Sequence, residues 1–321
     1  MICIQCIGGL GNRLFIYAFA RALQLDSNEP IVMYHTWQNG VEYYTQALKE
    51  MIPPNVDITH VSVEQGKDIW DVAPIPLFFC RAMRKVWLLG HPNREAKDIE
   101  YALQPIWNKL GLCMITDGYL PFSRKSPLKK FVCKGYFQSR RFWGTHTEEI
   151  RSELYRPDLI SKDSQEYLEQ IQTTNAVCLH IRLGDYVNDP GIRNLFHVCD
   201  ENYYLKAVET ALAKLNNPTF FAFTNDQELA NQIPFPKDAK IVWVPSGEAV
   251  NDLQLMGQCR HFIISNSSYS WWGQFLSAAP DKVVFAPDRW FRSDKPVDLY
   301  EEEWVRIPIT PIGEDEVTCE N

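Results

Sequence analysis

The stretch VCLHIRLGDYV, Val177–Val187, changes character partway along. Val177, Cys178, Leu179 and Ile181 form the short apolar run of a strand buried on both faces, as in a parallel sheet. His180, Arg182 and Asp185 then gather around Gly184. Taking a guanidinium and a carboxylate out of water is costly unless partners satisfy them. Open parallel sheets bind their ligands just beyond the carboxyl ends of strands, where these polar residues fall. His180 and Arg182 have the same side-chain parity, so both face one side of the strand.

Outward from this strand the chain alternates. Strand-like runs occur at Thr219–Thr224, Lys240–Val244, His261–Ile264 and Lys282–Ala286. Between them, Asn202–Leu215 has the helical period, with Leu205, Val208, Leu212 and Leu215 on one face. Shorter helices are expected at Asp226–Ile233, Asn251–Gln258 and Tyr269–Ala278. Such alternation predicts an α/β fold with helices on both faces of a parallel sheet. The N-terminus opens the same way, with strand Ile2–Ile7, a glycine-rich turn Gly8–Asn12 and helix Arg13–Leu25. Residues 50–150, rich in prolines and aromatics and with a basic cluster at Arg81–Lys85, do not resolve into elements. The expected division is a domain over 1–160, a second over 161–300, and an acidic, proline-rich tail over 301–321.

The 321 residues suffice for two cores, and 45% hydrophobic with 22% charged residues is ordinary for a soluble globular protein. A net charge of −8 argues against a nucleic-acid partner. No apolar run approaches the roughly 20 residues of a membrane span, which leaves peripheral association at a membrane surface open. The N-terminus lacks a basic region and a cleavage site, unlike a signal peptide. The nine cysteines are odd in number and scattered. Cys3 and Cys6 lie three apart on a strand, facing opposite ways. These thiols read as reduced core residues of a cytoplasmic protein.

Three further motifs carry chemistry. In GGLGNRLF, Gly8–Phe15, Gly9 and Gly11 allow close approach of a ligand to a helix N-terminus. Asn12 can both donate and accept there. A tight structural turn explains the same residues. It is not a P-loop, since no Gly-Lys-Ser/Thr follows, and a nicotinamide site would need a third glycine where Leu14 stands. In FTNDQE, Phe223–Glu228, Asp226 either caps a helix or accepts from a guanine edge. In ISNSSYSWWGQFL, Ile264–Leu276, Ser265, Asn266, Ser267 and Ser268 stand at another helix start, a second phosphate-friendly position. Trp271 and Trp272 there suit packing, with a sugar platform as the alternative. Arg182 itself offers a planar fork for a pyrophosphate, each charge-assisted bond worth about 1.5–3 kcal/mol; an Arg182–Asp185 structural pair is the alternative. No Asp-x-Asp occurs, so no metal site is expected, and a bound diphosphate must be neutralised by protein cations and helix ends.

Together these segments resemble the α-1,2-fucosyltransferases of glycosyltransferase family 11. GGLGNRLFIYAFA, GYFQS at Gly135–Ser139, HIRLGDYV at His180–Val187, FTND at Phe223–Asp226 and DLQLMGQCRHFIISNSSYSWWGQFL from Asp252 appear in the family's order. The resemblance implies a GT-B type fold, two Rossmann-like domains with parallel sheets flanked by helices, the first on the acceptor side and the second binding GDP-fucose. It implies inverting transfer of L-fucose from GDP-β-L-fucose to the 2-hydroxyl of a galactose-terminated oligosaccharide, with neither metal nor cofactor. By the same resemblance Arg182 grips the diphosphate, helped by His180 and the Asn266, Ser267 and Ser268 segment. Asp226 reads guanine, and Asn12, with Gly9 and Gly11, stands near the reacting centre. Asp185 is a candidate base. The family often has a second arginine where this chain has Leu183. The alternatives are a fucosyltransferase of another linkage and a nucleotide- or carbohydrate-binding protein without turnover. The expected setting is the cytoplasm of a bacterium, with peripheral contact at the inner membrane compatible.

Overall fold

A computed structural model describes every residue except 39, 66–68, 70–73, 92–95, 122–128, 294, 296 and 311–321; the side chains of 74–77, 80, 96, 97 and 185 also lie outside the description. The chain forms two compact units. One is Met1–Glu153 with Pro296–Leu299; the other is Leu154–Lys295 with Tyr300–Asn321.

The first unit is built on a parallel sheet of β1 (Ile2–Cys6), β2 (Ile31–His35), β3 (Ile58–Ser62), β4 (Leu112–Ile115) and β5 (Phe131–Gly135), in the order β3-β2-β1-β5-β4. All five residues of β1 are buried, as a central strand covered on both faces requires. The helix Leu10–Ser27 follows, with thirteen buried residues, and ends at Asn28 in the left-handed conformation that asparagine tolerates. The middle region that the sequence left unassigned contains the helices Pro74–Gly90 and Ala96–Lys109. Pro105 lies inside the second of these, and a proline there is what a pattern reading takes for a helix break.

The second unit is a parallel sheet of β6 (Asn175–Ile181), β7 (Pro218–Thr224), β8 (Lys240–Trp243), β9 (His261–Ile263), β10 (Val284–Pro287) and β11 (Val305–Ile307), in the order β11-β10-β9-β6-β7-β8. Val177, Leu179 and Ile181 share a core cluster with Tyr203, Tyr204, Ala207 and Val208 of the helix Glu201–Lys214. β11 falls in the segment expected as tail; Val305 is in register with Phe285 of β10 and extends the sheet. The helix expected at Asp226–Ile233 is only Gln227–Ala230. Pro234 follows Ile233, and a residue before proline disfavours helix.

Both units are α/β, Rossmann-like sheets flanked by helices, the architecture of the GT-B type. In each, the strand order reverses beside the first strand. In the first, β2 and β3 lie on one side of β1 and β5 on the other; in the second, β7 and β8 lie on one side of β6 and β9 on the other. The crevice outside the strand ends at such a reversal is the usual ligand position in this architecture.

Candidate functional site

In the second unit the reversal falls between β6 and β9, and His180, Arg182 and the Ser265–Ser268 segment lie there, while Asp226 follows β7. His180, near the end of β6, is 6% exposed. Its Nδ1 lies 3.0 Å from the Ser265 hydroxyl and 2.8 Å from the Ser270 hydroxyl. The imidazole therefore ties β6 to the loop after β9 and to the helix Ser268–Leu276. Burial, then the Arg182 charge, pushes its pKa down to about 3, so the ring is neutral in ordinary conditions. The fixed positive charge at this strand end belongs to Arg182.

Arg182 follows β6, half-buried, with its guanidinium carbon 5.1 Å from the centre of the Tyr186 ring. Its backbone N–H donates to the Tyr204 hydroxyl at 3.0 Å. The neighbouring Tyr203 hydroxyl donates to the Ile264 carbonyl. Two adjacent tyrosines of one helix thus fasten the chain beyond β6 and the chain beyond β9. Burial pushes both phenols well above their ordinary pKa, so they stay protonated.

The turn after Arg182 depends on Gly184, whose φ is +60°. A Cβ there would meet the Asn225 amide nitrogen at 2.6 Å. That amide is the turn's clamp: Leu183 N–H donates to Asn225 Oδ1 at 2.9 Å, and Asn225 Nδ2 donates to the Leu183 carbonyl at 3.2 Å. Leu183 packs into the same core cluster as Val177, Leu179 and Ile181. Asp185 opens the short helix Asp185–Asn188, and its side chain lies outside the described residues.

The other expected residues have definite local tasks. Asp226 caps Gln227–Ala230, with Oδ1 accepting from Leu229 N–H at 3.1 Å. Ser267 caps Ser268–Leu276 and accepts from Tyr269 N–H at 3.3 Å. Asn266 is buried, and its Nδ2 donates to the carbonyls of Phe196 at 2.7 Å and Trp290 at 2.8 Å. It braces the loop from inside, with no side-chain donor left to offer an anion. Trp271 and Trp272 are buried, with Trp271 stacked on Phe275 at 5.2 Å, so both indoles are packing residues.

In the first unit the reversal falls between β1 and β5. Asn12, in the first turn of Leu10–Ser27, accepts at Oδ1 from Gln138 Nε2 at 2.9 Å, joining the helix after β1 to the loop after β5. Phe137, just before, has φ +52° and is held by stacking on Phe19 with ring centres 3.9 Å apart. Gly8, which the sequence reading passed over in favour of Gly9 and Gly11, carries the constrained backbone. Its φ is +88°, and a Cβ would meet Asn12 Nδ2 at 2.6 Å. At Gly9 a Cβ would find ordinary contact with Tyr44 at 3.9 Å. Gln38 accepts from Gly8 N–H at 3.0 Å and donates to the Gly8 carbonyl at 2.8 Å. Beside Gln38, Trp37 stands 51% exposed.

Beneath this turn Arg13 is fully buried; its Nε donates to the Gly8 carbonyl at 2.8 Å, and its Nη1 lies 2.7 Å from His35 Nδ1. His35 Nε2 in turn lies 2.8 Å from His60 Nδ1. Burial, then Arg13, pushes His35 down to about 3. Burial, then Lys49, takes His60 to about 4.

Tyr203, Tyr204, Asn225, Gln38, Gln138 and Arg13 were not singled out from sequence. Gln138 and Arg13 lie inside the quoted motifs, and Asn225 directly precedes Asp226, so motif position was the available signal. The tyrosine pair signalled only that two phenols on a buried helix face need partners. Among the described residues, no three His, Cys, Asp or Glu side chains form a metal-binding group. The seven cysteines described in full are all free and buried.

Residues 78–308 match the family model described as Glycosyl transferase family 11. An α-1,2-colitosyltransferase of Escherichia coli is 27% identical over 314 residues, covering 96% of this chain and 99% of its own length. Galactoside α-(1,2)-fucosyltransferase 2 of Rattus norvegicus is 27% identical over 189 residues, 54% of this chain and 52% of its own. Among solved structures, the NodZ α-1,6-fucosyltransferase soaked with GDP-fucose is 15% identical, covers 86% of this chain and 92% of its own, and superposes with a TM-score of 0.49.

Proposed function

The chain belongs to glycosyltransferase family 11, and from that premise we propose that it moves L-fucose from GDP-β-L-fucose to the 2-hydroxyl of a terminal galactose, with inversion and without a metal. The observation that carries this reading is the convergence of Arg182, neutral His180 and the start of Ser268–Leu276 at the β6/β9 reversal. Breaking the sugar–phosphate bond leaves negative charge on the nucleotide diphosphate. Arg182 and the helix N-terminus offset that charge more strongly in the transition state than before it. His180, uncharged, orients the Ser265 and Ser270 hydroxyls and contributes hydrogen bonds. Asp226 retains the role of guanine reader alongside its capping bond. On the acceptor side, the Asn12–Gln138 pair positions the incoming hydroxyl, and the exposed Trp37 indole offers a stacking face to a sugar. Asp185 is the candidate base.

A second reading concerns the donor. The colitosyltransferase relative aligns over nearly its whole length, and colitose is fucose without its 3-hydroxyl. A pocket that hydrogen-bonds this hydroxyl rejects the deoxy donor by roughly 10⁴-fold or more, whereas one that leaves it to solvent accepts both. Incubation with GDP-fucose and GDP-colitose in competition, against a panel of galactosides with linkage analysis of the product, tests both readings. Fucose in α-1,2 linkage is expected. GDP binding with no transfer to any acceptor would leave a binding protein instead. Arg182→Ala is expected to lose a few orders of magnitude in turnover while the fold persists; unchanged turnover removes Arg182 from the chemistry. The free, buried cysteines and the bacterial relative support a cytoplasmic site of action. Among the described residues no helix is long and apolar enough to cross a membrane.

A further inference from the structure

The helix Pro74–Gly90 has two unlike faces. Met83, Trp87 and Leu88 pack against the core cluster that includes Ile99, Leu103 and Trp107 of Ala96–Lys109. On the other side Phe78 is 69% exposed, Phe79 54%, Val86 69% and Leu89 79%. On a 3.6-residue helix Phe78, Phe79, Ala82, Val86 and Leu89 fall within an arc of about 100°. Leaving two phenylalanines, a valine and a leucine in water on one arc has no structural benefit. A contiguous exposed apolar face of this kind marks an interaction surface.

The charges identify what covers it. Arg81 and Lys85 border the apolar arc, Arg84 lies further round, and all three are exposed. The helix has no acidic residue, although the chain carries a net charge of −8. Cations beside an aromatic and aliphatic stripe, on an otherwise acidic protein, complement a surface that is apolar inside and anionic at its rim. A bilayer bearing anionic headgroups is such a surface, and helices of this composition lie in its interface plane. A second copy fits poorly. In a two-fold pair the same patch faces itself, and Arg81, Arg84 and Lys85 would oppose their own counterparts. Nucleic acid fits poorly too, since it offers phosphates but no apolar layer for Phe78 and Leu89. We propose that Pro74–Gly90 docks the protein peripherally on a membrane surface containing anionic lipid.

This inference does not depend on the donor or acceptor assigned above, and its test needs no turnover. The full chain is mixed with vesicles of phosphatidylcholine alone, or with about 30% phosphatidylglycerol, and floated through a density step. The expected result is flotation with the anionic vesicles, weakened by salt, and little with the neutral ones. Each exposed cation near such a surface contributes roughly fivefold in affinity, so Arg81→Gln/Arg84→Gln/Lys85→Gln should lose on the order of a hundredfold. Phe78→Ser/Phe79→Ser should lose binding as well, and since all five side chains are exposed the thermal melts should match the parent. Equal partition onto neutral and anionic vesicles, or none onto either, overturns the proposal. So does a dimer in sedimentation equilibrium that Phe78→Ser/Phe79→Ser converts to monomer, because that places a second copy on the face.

Discussion

Replacing Gly184 by alanine probes how the Arg182 loop is held. The residue sits at φ +60°, and an L side chain there costs roughly 1–2 kcal/mol in backbone strain. The new methyl would also meet Asn225 Nδ2 at 2.6 Å, too close to coexist. Asn225 can swing away, since it is exposed, but it then gives up its bonds to Leu183 N–H at 2.9 Å and the Leu183 carbonyl at 3.2 Å. At about 1 kcal/mol net for each bond, that adds roughly 2 kcal/mol. Gly184→Ala should therefore destabilise the second unit by about 3–4 kcal/mol. Asn225→Ala alone should cost roughly 2 kcal/mol. The double variant has no amide left to displace, so it should cost about the same as Gly184→Ala alone. The coupling of roughly 2 kcal/mol is measured in a double-mutant cycle by urea denaturation, followed by tryptophan fluorescence. Additive costs, with the double variant near 5–6 kcal/mol on the same scale, would refute the clamp. The same variants should lower kcat/KM for the donor far more than a distant substitution of equal stability cost, because the loop presents Arg182.

Several further outcomes can be checked. Stability should fall with acid in both units: His180 and His35 have folded pKa values of about 3 against an ordinary 6.5. Their contribution is complete above pH 6.5 and is lost as pH falls toward 3, by roughly 2 kcal/mol for each histidine at pH 5; a flat stability profile between pH 7 and 5 would contradict their burial as neutral rings. Trp37→Ala should raise the acceptor KM several-fold while leaving donor hydrolysis in the absence of acceptor unchanged, and an equal fall in both would assign Trp37 to folding. Turnover should survive EDTA, and a loss restored by added magnesium would overturn metal-independent departure of the diphosphate. Tyr204→Phe should leave the Arg182 N–H without its buried acceptor, costing about 1–3 kcal/mol in urea denaturation and reducing kcat; a stability equal to the parent would show that the bond at 3.0 Å contributes nothing.

The second unit was legible because its strands are short apolar runs separated by punctuated helices. Val177–Ile181 names its own environment, and the residues that break it, His180 and Arg182, mark the carboxyl end of the strand. The first unit was legible only at its start. Helix Ala96–Lys109 contains a proline that tertiary packing tolerates, and Pro74–Gly90 has an apolar face directed away from the core, so neither matches a simple amphipathic template. β11 is three residues long, below what periodicity detects. At the strand ends, sequence singled out His180, Arg182 and Asn12 but not the residues that hold them there. Clamps such as Asn225, Gln38 and Tyr204 act across β6/β7, β1/β2 and strand–helix packing, and a single chain read in order contains no record of those contacts. The glycines show the same limit. Gly9 and Gly11 fit the GxGxxG spacing, yet in that turn the positive φ falls on Gly8, and backbone angle is not a property of spacing.

The clamps share a property that constrains the chemistry. Asn225, Gln38 and Gln138 do not titrate, Tyr203 and Tyr204 are held well above their ordinary pKa, and His180 and His35 are held near 3. The scaffold around both strand reversals therefore keeps one protonation state across the range in which enzymes normally work. Preorganised electrostatic stabilisation requires this: donors and charges aimed at a departing anion help only if they are already in place when charge develops. A protonated His180 beside Arg182 would add charge, but it would also repel the guanidinium and strain a buried ring, so the neutral form supports the geometry better. Any limb in kcat/KM between pH 5 and 8 must then come from a group outside these clamps. Mapping such a limb onto Asp185 by Asp185→Asn, with the limb abolished and donor KM retained, would separate a base from a structural carboxylate.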